Sequence, residues 1–107
     1  MAGISQGGTV AINAALNLKF KIKQVLCIDT IFLNSYFDYK KFSDAIRQDF
    51  KVFQSLHDKV YNPKFQDYTY NILNKRKYII EKKAYMLEHC QDMNLIKNFI
   101  KTYLEDY

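Results

Sequence analysis

Gly3-Ile4-Ser5-Gln6-Gly7-Gly8 runs straight into Thr9-Val10-Ala11-Ile12-Asn13-Ala14-Ala15-Leu16-Asn17-Leu18, and this stretch holds all 3 glycines of the chain. Glycine punctuates local structure, so glycines crowded into six adjoining positions mark one special turn. Behind it Val10, Ala11, Ala14, Ala15 and Leu18 recur at helical intervals among good helix formers, which predicts a helix over Thr9–Leu18. The opening residues fit G-x-S-x-G, the pattern of a sharp strand-to-helix turn that exposes a serine hydroxyl. Glycines two positions either side of Ser5 leave room where such a turn brings backbone close, and the amino end of the helix favours a developing negative charge. Ser5 is therefore a candidate nucleophile. A helix-capping hydroxyl in a flexible glycine turn is the alternative that the pattern alone leaves open.

Working outward, Ile22–Ile28 contains Val25-Leu26-Cys27-Ile28, an apolar run too short for a helix and typical of a strand buried on both faces. Phe50–Leu56, centred on Val52 and Phe53, predicts a second strand, and Tyr78–Ala84, with Ile79 and Ile80, a third. Pro63 suits the first turn of a helix that carries Phe65, Tyr68, Ile72 and Leu73 and ends near Asn74–Arg76, where cations complement its dipole. From Asp92 onward Leu95, Ile96, Phe99, Ile100, Tyr103, Leu104 and Tyr107 keep the three-four spacing of a last helix, with Lys97 and Lys101 opposite. Residues 29–49 keep no clean period and predict a loop with a helical turn over Ser43–Gln48. Alternation of strands and helices argues for the α/β class, a parallel sheet with right-handed crossovers and flanking helices. Three strands make an incomplete sheet, and the glycines ought to follow a strand of their own. Residues 1–107, without repeat or linker, are thus expected to form part of one domain whose amino-terminal strands are missing.

With 107 residues, 49% of them hydrophobic and 25% charged, the composition excludes a disordered or collagen-like chain. The uncharged segment 1–18 is interrupted by Gly3, Ser5, Gln6, Gly7, Gly8, Thr9, Asn13 and Asn17 and lacks a basic leader, so neither a membrane span nor an export signal is expected. Cys27 and Cys90 are too few for a disulfide framework and predict buried thiols in a reducing, cytoplasmic setting. The net charge of +5 permits an anionic partner without demanding one. Lys75, Arg76, Lys77, Lys82 and Lys83 near Tyr78 and Tyr85 come with no RNA-binding motif, so nucleic acid is not expected. Two histidines and two cysteines without zinc-type spacing predict no metal and no other cofactor.

In hydrolases built on a serine turn of this kind, the partners follow in the order Ser, then Asp or Glu after a later strand, then His near the last helix. Asp58 follows the Phe50–Leu56 strand, and His89 lies between the Tyr78–Ala84 strand and the last helix. With Ser5, they fall at strand carboxyl ends, the edge where open α/β sheets bind ligands. His57 is a rival base, although neighbours on an extended segment point opposite ways. Cys90 is a rival nucleophile if its thiol is not simply buried.

The S-Q-G-G run and its alanine-rich helix resemble the serine turn of the phospholipase/carboxylesterase group of α/β-hydrolases, which includes the acyl-protein thioesterases. The resemblance extends through Phe50–Asp58 and through His89 with its helix, and covers the carboxyl half of the family domain. It implies that Ser5 attacks an acyl ester or thioester, that His89 relays the proton, that Asp58 orients the imidazole and that the Gln6 backbone N–H faces the oxyanion. The chain departs from the family at His57-Asp58-Lys59-Val60, where glycine usually precedes the aspartate, and at Met86-Leu87-Glu88, where glycine is common before the histidine. The alternative is an inactive remnant that binds a partner chain or self-associates to complete its sheet, in keeping with 9 Tyr and 8 Phe, more than half a domain can bury. Ile31–Phe42 is expected either to line an acyl pocket or to pack as an ordinary loop.

Overall fold

Four strands, β1 (Ala2–Ile4), β2 (Val25–Ile28), β3 (Asp49–Ser55) and β4 (Ile79–Tyr85), lie side by side in chain order and pair in parallel throughout. The register sets Gly3 against Cys27, Cys27 against Val52 and Val52 against Lys82. Helices α1 (Gln6–Asn17), α2 (Pro63–Lys75) and α3 (Met93–Leu104) complete the described elements of the chain, whose computed structural model describes residues 1–31, 47–75 and 77–104.

Strand alternation divides the core into two layers. Val25, Cys27, Phe50 and Val52 face α1 and α2, where Ala11, Ile12, Ala15, Leu16, Tyr70 and Leu73 close over them. Leu26, Ile28 and Phe53 face α3 and meet Ile96, Phe99 and Tyr103. Every residue of β2 is buried, as a strand covered on both faces must be. Phe53 stacks on Tyr85 at 4.7 Å and meets Phe99 edge-on at 5.5 Å, offset and T-shaped geometries that aromatic quadrupoles favour.

The boundaries differ from expectation for identifiable reasons. β2 starts at Val25 and not at Ile22, because the Gln48 side chain takes the backbone there: Ile22 N–H donates to Gln48 Oε1 at 3.0 Å, and Gln48 Nε2 donates to the Phe20 carbonyl at 2.8 Å. β4 starts at Ile79 and not at Tyr78, whose N–H instead closes the end of α2 on the Leu73 carbonyl across a left-handed Lys77 (φ 67°). β3 likewise spans Asp49–Ser55, not Phe50–Leu56. β1 supplies the strand expected ahead of the glycines, so the sheet has four described strands rather than three, and α1 begins at Gln6, directly on the serine turn. The caps match their residues: Lys64 N–H donates to Asn62 Oδ1 ahead of α2, and Leu95 N–H to Asp92 Oδ1 ahead of α3. Of the helical turn expected over 43–48 only residues 47 and 48 are described, outside any helix, and of the pocket lining expected over 31–42 only Ile31 is.

β4 edges the described sheet and is largely exposed, and its charges are engaged: Lys51 pairs with Glu81 at 2.8 Å and Lys82 with Asp67 at 3.0 Å. Charges on an edge strand discourage further strand pairing. Among the described residues, no helix is long and apolar enough to cross a membrane.

Candidate functional site

The serine turn is held by backbone. β1 delivers Ser5, whose N–H donates to the Ile28 carbonyl at 2.9 Å, while its own carbonyl accepts from Gly8 N–H at 3.0 Å. Ser5 adopts φ 55°, ψ −122°, a region sparsely populated outside glycine and costing of order 1–3 kcal/mol. The hydroxyl makes no capping bond to the helix, which disposes of the capping alternative.

The glycines divide their roles differently from the spacing rule. A Cβ on Gly3 would lie 2.3 Å from the Gly7 carbonyl oxygen, and one on Gly8 would lie 2.5 Å from Thr30 Cβ, whereas one on Gly7 would meet nothing within 4 Å. Space is needed at positions 3 and 8. Position 7 takes part only because its backbone is what Gly3 approaches. Gly3→Ala is accordingly expected to cost about 3 kcal/mol and to lower Tm by roughly 10–20 °C, since backbone cannot step aside. Gly7→Ala, on an exposed first turn, is expected to raise Tm by a few degrees through helix propensity. Thermal unfolding of the two variants checks the contrast, and equal effects would contradict it.

Asp58 sits just past β3 with its side chain fully buried. Its Oδ1 accepts the N–H groups of Val60 and Tyr61 at 2.8 Å each, and Oδ2 lies 2.6 Å from His89 Nδ1. The other ring nitrogen, Nε2, lies 3.0 Å from Ser5 Oγ. An ionised carboxylate only accepts, so the network places the imidazole proton on Nδ1 and leaves Nε2 to accept the serine O–H. Tyr61 meets the His89 ring edge-on at 5.5 Å. Strand pairing continued beyond the sheet brings the histidine in: Leu56 N–H donates to the Tyr85 carbonyl at 2.8 Å and His57 N–H to the Leu87 carbonyl at 2.9 Å. His57 itself is exposed, so His89 is the histidine that Asp58 holds. Gln6, first residue of α1, carries one of the amide N–H groups that a helix leaves without an internal acceptor.

Cys90 is half-buried with φ 51°. Burial, the negative charges of Asp29 and Asp58, and its own hydrogen bond to Asp29 push its thiol up to about 11. A thiol so protonated near neutral pH is a poor nucleophile, which answers its rivalry with Ser5. Cys27 is buried and its thiol is likewise raised by desolvation.

Asp29 and Thr30, both fully buried, were not among the sequence candidates. Asp29 has φ 46°, and its carboxylate accepts Ser55 N–H at 2.7 Å, Ser55 Oγ–H at 2.7 Å and Cys90 N–H at 2.8 Å. Among the described residues, three of the four non-glycine residues with positive φ (Ser5, Asp29, Cys90) lie at this edge, and stored backbone strain tends to gather at functional sites. The position rule that found Asp58, a polar residue just past an apolar strand, points equally to Asp29.

Among the described residues, Asp29, His89 and Cys90 form the group whose potential metal-ligating atoms lie within 4.8 Å of one another. Both His89 nitrogens and Asp29 Oδ2 already serve the hydrogen bonds above, so ligation would compete for the same atoms. A surface hollow of about 210 Å³ between α2 and β4, lined by Asp67, Tyr70, Asn71, Asn74, Ile80 and Lys82, includes none of the site residues.

No family model matches the chain, and neither does any curated protein. Solved structures do. Arabidopsis thaliana SOBER1 superposes with a TM-score of 0.77 at 20% identity, over 96% of this chain and 51% of that one. Esterase PE8 gives 0.79 at 13% identity, over 98% and 48%. MGS-M1, an alpha/beta hydrolase enzyme from a Medee basin deep-sea metagenome library, gives 0.65 at 18%, over 82% and 38%. The chain therefore has the α/β-hydrolase fold and spans about half the length of the first two structures it matches.

Proposed function

We propose that, on this α/β-hydrolase fold, the chain is a serine hydrolase of carboxylic esters or thioesters that works through Ser5, His89 and Asp58. The observation that carries the proposal is the hydrogen-bonded line from Ser5 Oγ to His89 Nε2 at 3.0 Å and from His89 Nδ1 to Asp58 at 2.6 Å, joining residues 84 and 31 positions apart.

Ser5 Oγ attacks the acyl carbonyl as its proton passes to His89 Nε2, and the imidazolium is stabilised by the carboxylate on Nδ1. The tetrahedral oxyanion lies at the amino end of α1, where Gln6 N–H donates to it and the helix dipole favours negative charge. Collapse breaks the bond to the alcohol or thiol, which takes the proton from His89, and water then releases the acid by the same steps in reverse order. Two free cysteines suit a reducing compartment such as the cytoplasm.

The test is labelling of the purified chain with a fluorophosphonate probe and mass spectrometry of the modified peptide. Stoichiometric modification of Ser5 is expected, whereas a folded chain that stays unlabelled would overturn the proposal. The edge that β1 forms in the described sheet supports an alternative, an inactive subunit whose sheet a partner or second copy completes. Lack of labelling together with stable self-association would favour it.

A further inference from the structure

Ser5 and His89 hang on separate backbones, and their reacting atoms must keep a hydrogen-bond distance because a misplacement of about 1 Å can cost about a hundredfold in rate. Both backbones are fastened to one dipeptide at the carboxyl end of β2. On one side Thr30 Oγ1 donates to the Ser5 carbonyl at 2.6 Å, and the Thr30 side chain fills the space that Gly8 leaves by lacking a Cβ. On the other side Asp29 Oδ2 accepts the N–H of Cys90, the residue after His89, at 2.8 Å.

The dipeptide is itself held. Ser55 at the end of β3 donates twice to the Asp29 carboxylate, Asp29 N–H donates to the Phe53 carbonyl at 3.0 Å, and Tyr70 of α2 donates to the Thr30 carbonyl at 3.2 Å. Consecutive Cα atoms are about 3.8 Å apart across a trans peptide, so the route from the Ser5 carbonyl to the His89 backbone is two hydrogen bonds and a short covalent span.

We infer that Asp29 and Thr30 are positioning residues that set the separation of Ser5 Oγ and His89 Nε2, Thr30 acting through the serine turn and Asp29 through the histidine loop. This rests on the hydrolase role proposed above. It also explains the second glycine of the S-Q-G-G run, because a side chain at position 8 would drive Thr30 off the Ser5 carbonyl.

Thr30→Val keeps the shape and removes the donor, and it leaves the Ser5 carbonyl with Gly8 N–H, so the fold is expected to survive. Thr30→Ser keeps the donor. For a 4-nitrophenyl acyl ester, Thr30→Val is expected to lower kcat by about 10- to 100-fold with KM within about twofold, while Thr30→Ser retains most of the parent rate. Labelling rates should follow the same order at matched thermal stability. Parent-like kcat in Thr30→Val, or equal slowing in Thr30→Ser, overturns the inference.

Asp29→Asn turns an amide NH₂ toward N–H donors and is expected to slow labelling or to unfold the chain. The Thr30 pair therefore carries the decision. The ¹⁵N resonance of His89 Nε2 reads the geometry without turnover: Thr30→Val should move it toward its position in Ser5→Ala, and an unmoved resonance overturns the inference. A parent chain that does not label defeats the hydrolase role, whereas a labelling parent with an equally fast Thr30→Val defeats only the positioning role.

Discussion

Replacing Ser5 by alanine is expected to abolish fluorophosphonate labelling and to cut kcat for an acyl ester by about 10⁴- to 10⁶-fold, the loss seen when the nucleophile of a serine-histidine pair is removed. The fold should be indifferent. The hydroxyl bonds to His89, while the strained turn is held by the Ser5 N–H to the Ile28 carbonyl and by the Ser5 carbonyl, which alanine keeps. Alanine is no more comfortable at φ 55° than serine, so Tm should move by only a degree or two. Adding His89→Ala to Ser5→Ala should cost almost nothing more, because residues that act as a unit are not additive. Steady-state kinetics and thermal unfolding of the single and double variants check this. Residual turnover near the parent level in Ser5→Ala would remove Ser5 from the chemistry.

Asp58→Asn should be nearly as severe in rate, about 10⁴-fold in kcat at neutral pH, and mild in structure. The asparagine oxygen can still accept the N–H groups of Val60 and Tyr61, which hold the loop at 2.8 Å each. The amide NH₂ then faces His89 Nδ1 and donates to it, which puts the ring proton on Nε2, where it points at the serine oxygen instead of accepting from it. Asp58→Ala, by contrast, strands the two loop amides beside a buried vacancy and should also lower stability by about 1–3 kcal/mol. A pair of kcat and Tm measurements separates the variants. An Asp58→Asn protein within about tenfold of the parent would assign the acid elsewhere, and Asp29 is the other buried carboxylate among the described residues.

Ser5 was legible as a candidate from the G-x-S-x-G pattern, Asp58 as a polar residue just past an apolar strand and His89 from its place between a strand and the last helix, because a parallel sheet brings such ends to one rim. The α/β class followed from the same alternation. β1 was not legible, since three residues ending in a glycine turn carry no periodicity and only pairing with β2 makes them a strand. The start of β2 was misplaced because the competing acceptor and donor, the Gln48 side chain, lies 26 positions from Ile22. The need for glycine at position 8 was hidden for a related reason: its cause is Thr30, a distant residue with no motif of its own. Long-range polar ties of this sort leave no mark on local pattern.

The strict sequence order of the sheet has a kinetic consequence. Ser5 follows the first described strand and His89 the last, so each described parallel pairing between them must close before the 3.0 Å contact between their side chains can exist. Contacts of such long sequence separation put the chain among slow-folding topologies. No local piece can preassemble the pair, and a serine that reacts is therefore a reporter of complete folding.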